Sequence, residues 1–225
     1  MPKVAHIAIA LPVDGHFDYS VPESLQNTIR PGHRVVVPFR REKKTGFVVG
    51  SAASSTFKTL KPIIKILDAS PSISKEFLEL GKRFAEYYGC SIGEALDTML
   101  PDALRTSRML AVEFPEADIP AHQKAETILL HDPTFEQRWE AIDEYIEKTL
   151  KAARGVIVLT PEVFQIQPVT ERLQKKFKVP VIILDKQLKA KDEMQDWFLL
   201  RQNKASLAVG TRSAVFAPVV NLGLI

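Results

Sequence analysis

Arg40, Arg41, Lys43 and Lys44 fall within five positions, and cationic side chains at that density suit contact with a polyanion. Their surroundings extend the pattern. The first 70 residues carry ten Lys/Arg against five Asp/Glu, a balance of +5, whereas residues 71–105 sum to −2 and residues 106–225 hold sixteen of each sign. The formal net charge of +3 hides this asymmetry. It suits a polyanionic partner for the first segment, with a plain solvated surface as the alternative on charge alone. Bond-making chemistry leaves no comparable trace. His6, His16, His33, His122 and His131 show no ligand spacing with carboxylates or cysteine, so no metal site is expected. The single cysteine, Cys90, can form no internal disulfide and has no histidine motif beside it, and Ser213 stands in no nucleophile elbow. No residue is assigned as catalytic and no cofactor is expected.

The elements that must position these side chains follow from the hydrophobic pattern. At 225 residues, 45% hydrophobic and 25% charged, the chain can bury one large core or two small ones. No apolar run reaches the roughly 18 residues that a bilayer span needs, and the N-terminus lacks a signal-peptide pattern. A cytoplasmic protein with no membrane partner is therefore expected. Short Val/Ile-rich runs between turn residues predict strands at Val4–Leu11, His33–Phe39, Gly46–Val49 and Pro62–Leu67, with Arg40 to Lys44 as a cation-rich loop. Ser74 caps a helix that ends near Gly89 and presents Phe77, Leu80, Phe84 and Tyr87 or Tyr88 on one face; a second helix runs from Ile92 to Leu100, stopped by Pro101. The pattern then weakens over residues 106–127, read as a linker or an extra edge strand. Beyond it strand and helix alternate, as in a parallel sheet with helical crossovers. Strands are predicted at Ile128–Leu130, Val156–Thr160, Val181–Leu184 and Leu207–Val209, with a helix over Glu136–Ala153 burying Trp139, Ile142, Ile146 and Leu150. The fold class expected is a small β-barrel-like domain with C-terminal helices over residues 1–105, then an incomplete α/β parallel-sheet domain over 128–225.

Several phrases carry a family resemblance. His16-Phe17-Asp18-Tyr19-Ser20-Val21-Pro22, Pro31-Gly32-His33-Arg34-Val35-Val36-Val37-Pro38-Phe39, Thr45-Gly46-Phe47-Val48-Val49-Gly50, Leu60-Lys61-Pro62-Ile63-Ile64, and Ala85-Glu86-Tyr87-Tyr88 through Ile92-Gly93-Glu94 occur in this order. Over residues 4 to about 105 the chain thereby resembles the 3′ DNA-binding domain of the primosomal protein N′ (PriA) family of replication-restart helicases. The resemblance implies a pocket that holds the 3′ end of a nascent strand at a fork, with Phe17, Asp18 and Lys61 at the pocket's aromatic, acidic and lysine positions. A ring stacks on any base, a carboxylate accepts a hydrogen bond from a 3′-hydroxyl while repelling a 3′-phosphate, and a lysine balances a backbone phosphate. Where the family usually has glycine after the Pro-Phe pair this chain has Arg40, which alters the pocket and offers a further phosphate contact together with Arg41, Lys43 and Lys44.

The second half resembles the family's first helicase lobe at Gly155–Glu162, at Gly210-Thr211-Arg212-Ser213-Ala214-Val215-Phe216-Ala217-Pro218 and at Asn221–Ile225. Its nucleotide loop departs from the pattern. A working loop reads Gly-x-x-x-x-Gly-Lys-Ser/Thr, whereas the aligned stretch here is Asp132-Pro133-Thr134-Phe135-Glu136-Gln137-Arg138-Trp139-Glu140. Asp132 and Glu136 set negative charge where phosphates lie, Arg138 keeps a cation at the lysine position, and Trp139 cannot ligate Mg²⁺. The acidic Asp-Glu-Glu-His motif of the family belongs just beyond Ile225, and residues 106–127 are too short for the family's winged-helix domain, so a truncated, degenerate lobe is expected. The resulting expectation is a DNA-binding protein without its own ATPase motor, meeting forks, single strands with a 3′-hydroxyl, and other primosome or single-strand-binding proteins. Two alternatives stay open: a fragment or divergent form of an ATP-dependent 3′-5′ helicase, and a non-enzymatic interaction subunit of the primosome or of repair.

Overall fold

Val35, Val36 and Val37 in succession put a β-branched side chain on both faces of one strand, and all three are buried in the sheet that the first half builds. The computed structural model describes residues 3–114, 125–131, 134–185 and 190–225, which fall into two compact units, Met1–Phe114 and Pro115–Ile225. In the first, strands β1 (Val4–Ala8), β2 (Phe17–Ser20), β3 (Arg34–Phe39), β4 (Glu42–Ala52) and β5 (Lys65–Ile66) form an antiparallel sheet in the order β2-β1-β4-β3-β5. Ala5, Ile7, Tyr19, Val35, Val37, Val48 and Ile63 close its core. The edge strand β2 has a further partner. Ser20 donates its backbone N–H to the Lys61 carbonyl at 3.0 Å and accepts from the Ile63 N–H at 3.1 Å, while the Ile64 N–H donates to Val36 on β3 at 2.9 Å. Residues 61–64 thus connect the two ends of the sheet and leave fewer unpaired edge groups.

Two helices follow. The Ser74 hydroxyl caps α1 (Lys75–Tyr88) by accepting from the Phe77 N–H, and Gly89 ends it in the left-handed conformation at φ 65°. The buried stripe of α1 is Leu78, Gly81 and Ala85, not the aromatic row that spacing suggested: Leu80, Tyr87 and Tyr88 are exposed, Tyr87 to 82%. The reason is close packing, because a Cβ on Gly81 would stand 2.8 Å from Leu96 of α2 (Ile92–Met99). Small residues let the two helix axes approach, and Tyr87 and Tyr88 turn outward while Phe77 and Phe84 stay half-buried. A reciprocal Ser91/Glu94 capping box starts α2, and the Ser91 hydroxyl also donates to the Leu11 carbonyl at 2.7 Å, fixing the helix to the chain leaving β1.

Residues 106–114, read from sequence as linker, pack onto this unit. Leu110 pairs with Asp68 through an isolated bridge, Leu110 and Phe114 are buried, and the Phe114 N–H donates to the Ser70 hydroxyl at 2.7 Å. A fully buried ion pair holds this segment. Arg34 donates to Asp68 from Nε and NH2, the latter at 2.6 Å, and to the carbonyls of Leu104, Thr106 and Arg108 at 3.0, 3.2 and 3.0 Å.

The second unit is a parallel sheet in the order β7-β8-β6-β9, from β6 (Gly155–Leu159), β7 (Val181–Leu184), β8 (Leu207–Gly210) and β9 (Leu222–Leu224). Helix α3 (Phe135–Lys151) leads into β6, and α4 (Ile166–Phe177) and α5 (Ala190–Arg201) are crossovers. Trp139, Ile146, Val156, Ile166, Leu173, Leu207 and Val209 share a core, with Ile142 and Leu150 packed against it, as the periodicity of α3 predicted. The segment Ile128–Leu130 carries no strand. Its backbone pairs with none of the sheet, and Leu129 is 89% exposed, so apolar content alone misled where no neighbour is in register. Among the described residues no helix is long and apolar enough to cross a membrane.

Candidate nucleic-acid interface

The β3–β4 hairpin turns at Arg40-Arg41, with Phe39 paired to Glu42 across it. A two-residue turn between twisted antiparallel strands calls for positive φ at its first position, and Arg40 takes φ 52°. This gives a backbone reason for the glycine that the family resemblance places there, and it corrects the expectation that Arg40 to Lys44 form one loop. Only Arg40 and Arg41 are in the turn; Lys43 and Lys44 lie on β4, opposite Pro38 and Val37, and by strand alternation point to opposite faces. Arg40, Arg41 and Lys43 are exposed, whereas Lys44 is half-buried with its Nζ 3.5 Å from Glu42.

Around this hairpin three of the anticipated residues meet. The Phe17 ring packs edge-on against Phe39 with centroids 5.3 Å apart, the Arg40 guanidinium lies 5.7 Å from the Phe39 centroid, and Lys61 Nζ reaches the Arg40 carbonyl at 3.5 Å. Phe17 is half-buried against the core edge and Lys61 is exposed. Tyr19, on the same face of β2 as Phe17, is buried and donates its hydroxyl to the Pro38 carbonyl at 3.1 Å, a packing role.

Asp18 points from the other face of β2, into a cluster that sequence spacing did not disclose. It lies directly opposite His6 in the β1–β2 register. Its Oδ1 is 2.8 Å from His6 Nδ1 and 3.6 Å from His16 Nε2, and its Oδ2 accepts a 2.5 Å hydrogen bond from the Ser55 hydroxyl. The rings of His6 and His16 are 4.1 Å apart. Gly15, at φ 83°, turns the chain so that His16 folds back over His6, and Gly50, opposite His6 on β4, leaves room for the imidazole: a Cβ there would stand 3.1 Å from its Cδ2. Burial of Asp18 opposes its charge, yet the hydrogen bonds from Ser55 and His6 and the two imidazoles outweigh that, and the carboxyl titrates below its ordinary value. Burial and the neighbouring His6 push His16 below its ordinary value, against the pull of Asp18. The signal that would have found this cluster is strand pairing, which sets residues 12 positions apart side by side.

At the nucleotide-loop positions, the Thr134 hydroxyl caps α3 by accepting from the Gln137 N–H, Arg138 is exposed, and Trp139 is buried with the Arg172 guanidinium 4.8 Å from its ring centroid. Asp132 lies outside the described residues.

Comparison with known proteins fits this layout. Residues 6–101, which hold the antiparallel sheet and its two helices, match the family profile of the 3′ DNA-binding domain (3′BD). The class so defined is that of proteins carrying a 3′ DNA-binding domain. The chain is similar to the replication restart protein PriA of Treponema pallidum, 25% identical over 96% of this chain and 36% of that protein, and to that of Rickettsia prowazekii, 29% identical with the same coverage. The PriA of Bacillus subtilis is 32% identical over 60% of this chain and 18% of its own length. The chain thus carries the profile of that domain over residues 6–101 and is similar over nearly all of its length to replication restart proteins PriA. It spans about a third of the length of the relatives that match nearly all of it.

Proposed function

We propose that the chain is a DNA-binding protein of the replication-restart type that recognises the 3′ end of a nascent strand at forks. The observation that carries this is the grouping of Phe17, Phe39, Arg40 and Lys61 at one hairpin, inside the segment that matches the 3′ DNA-binding domain. Phe17 offers a ring for the terminal base, Lys61 and Arg40 offer charge to its phosphates, and Asp18, from the other face of β2, offers the remaining lone pairs of its carboxylate to a 3′-hydroxyl while repelling a 3′-phosphate. Arg41 and Lys43 extend the exposed cationic surface along the hairpin, with Lys44 less available because Glu42 engages it. Preference is then for end structure rather than base sequence. On this reading the DNA-binding domain expected over residues 1–105 extends to Phe114, a small barrel through the bonding of residues 61–64 to both β2 and β3, the linker is what remains of residues 106–127, and residues 128–225 are a degenerate first helicase lobe.

The reading includes no ATP turnover. Its support is the sequence Asp132 to Glu140, which lacks the glycines, lysine and hydroxyl of a nucleotide loop, together with the use of Thr134 as a helix cap and Trp139 as core. Those residues do not fit a phosphate and magnesium cradle. Stoichiometric ATP binding that disappears in Arg138→Ala would overturn this part.

The test of the main reading is fluorescence anisotropy with two labelled forks that differ only in a 3′-hydroxyl or a 3′-phosphate. The hydroxyl fork is expected to bind at least tenfold tighter, Asp18→Asn to shrink that gap, and Lys61→Ala to weaken both forks while lowering the salt slope by about one phosphate contact. Equal binding of the two forks by the native chain refutes the assignment of the pocket.

A further inference from the structure

The His6–His16–Asp18 cluster has a composition that 3′-end recognition does not require. A single carboxylate serves a hydroxyl, yet two imidazoles from separate elements converge on it. One nitrogen of each ring and a carboxylate oxygen all lie within 4.8 Å of one another. In an occupied tetrahedral site, with metal–nitrogen and metal–oxygen bonds of about 2.1 Å, ligand atoms stand roughly 3.4 Å apart. The Asp18–His16 separation of 3.6 Å already meets this, and the Asp18–His6 separation of 2.8 Å needs only a small outward rotation of the ring.

The surroundings hold the ligands in that arrangement. Ser55 engages Oδ2 and so leaves Oδ1 facing the imidazoles, and the Phe57 N–H donates to Ser55 at 3.2 Å to hold the serine in turn. Asp18 is fixed by its place in β2, and His6 by its place in β1 with the space that Gly50 leaves. His16 is exposed, so one side of the cluster is open to solvent. Two nitrogens and one oxygen are a borderline donor set, which selects late first-row divalent ions over Mg²⁺ or Ca²⁺, and three protein ligands leave a coordination position for water or an oxygen ligand.

We propose that His6 Nδ1, His16 Nε2 and Asp18 form an open three-ligand site for a divalent transition metal of the zinc class. The test uses the full chain without an affinity tag, titrated with Co²⁺ as the probe. The expected result is saturable one-to-one binding with a visible absorption band, reversed by one equivalent of Zn²⁺. His16→Ala removes an exposed ligand without touching the core and is expected to weaken Co²⁺ binding at least tenfold, as is Asp18→Asn. An independent reading comes from the imidazole nitrogens in two-dimensional NMR: Zn²⁺ is expected to shift His6 Nδ1 and His16 Nε2 while leaving those of buried His33 in place. Absence of saturable binding, binding unchanged in His16→Ala, or Zn²⁺-induced shifts elsewhere than on His6 and His16 would each overturn the assignment. None of these readouts involves DNA, so their failure leaves the 3′-end reading intact, and failure of the fork comparison leaves this one intact.

Discussion

Asp68→Asn keeps the shape of a buried side chain and removes its charge, and the geometry around Arg34 sets the expected cost. The Arg34 and Asp68 side chains have no solvent exposure. The guanidinium has carboxylate or carbonyl partners at Nε, NH1 and NH2, and Asp68 also accepts from the Arg34 backbone N–H at 3.0 Å and from the Ser72 hydroxyl at 2.9 Å. In the variant an amide that is itself a donor faces this row of donors, and the guanidinium stays buried without a counter-charge. Removing one partner of such a pair costs about 3–5 kcal/mol. For the unit Met1–Phe114, an unfolding entropy of about 2.1 cal/mol/K per residue converts that loss to a drop of roughly 12–20 °C in Tm. The chain's two tryptophans, Trp139 and Trp197, both lie in the second unit, so fluorescence is the wrong probe. Urea titration followed by far-UV circular dichroism, with hydrogen exchange on peptides covering β3 and residues 104–110, reads the right one. Lys82→Ala, which removes the exposed contact to Glu79, is the control and is expected to stay within about 0.5 kcal/mol of the native chain. A loss below about 1 kcal/mol in Asp68→Asn would mean that the pair is no more than a surface ion pair, and the reasoning fails.

Other expectations follow from single sites. Arg40→Gly relieves the left-handed backbone at φ 52° and is expected to raise stability by about 0.5–1 kcal/mol in a urea titration while weakening fork binding; a loss of stability would contradict the strain at this turn. Trp139→Ala empties a core position of the second unit and is expected to cost about 3–5 kcal/mol, read from the remaining Trp197 fluorescence. Burial holds the imidazole of His33 below its ordinary value, against the pull of the Arg30 carbonyl and Asp68. The unfolded chain therefore takes up a proton at a pH where the folded chain does not. His33 contributes its full stability above about pH 6.5 and loses it as the pH falls from there toward the folded value. An NMR titration of His33 with a midpoint at or above 6.5 would refute this.

Local signals in the sequence were the ones that carried through. Ser74 and Gly89 delimit α1 because capping depends on a few neighbouring residues, and the apolar face of α3 from Trp139 to Leu150 follows from its own period. What depended on distant neighbours did not show. The four residues of β2 are too few to register as a strand, and the meeting of Asp18 with His6 depends on a pairing register. The aromatic row of α1 looked like core until the close approach of α2 favoured Gly81 and Ala85 instead. Lys43 and Lys44 looked like loop because their charge masks an eleven-residue strand whose turn needs only two residues. Ile128–Leu130 is apolar but finds no partner. Of the anticipated interface, Phe17, Arg40 and Lys61 come together, and Asp18 acquires neighbours that were not foreseen.

The carbonyls that surround Arg34 also set where this protein can be divided. The family match ends at residue 101, and the sequence pattern weakens from 106, so a cut near 105 is the natural choice for isolating the first unit. That cut removes the Thr106 and Arg108 carbonyls, and with them the acceptors for two guanidinium hydrogens and part of the cover over an arginine that is otherwise fully buried. The protein's own punctuation falls at Phe114, after the chain has wrapped the arginine and been tied to Ser70. Recombination, proteolysis or domain grafting that respects that later boundary keeps the arginine enclosed, and one that follows the motif boundary opens the fold from within.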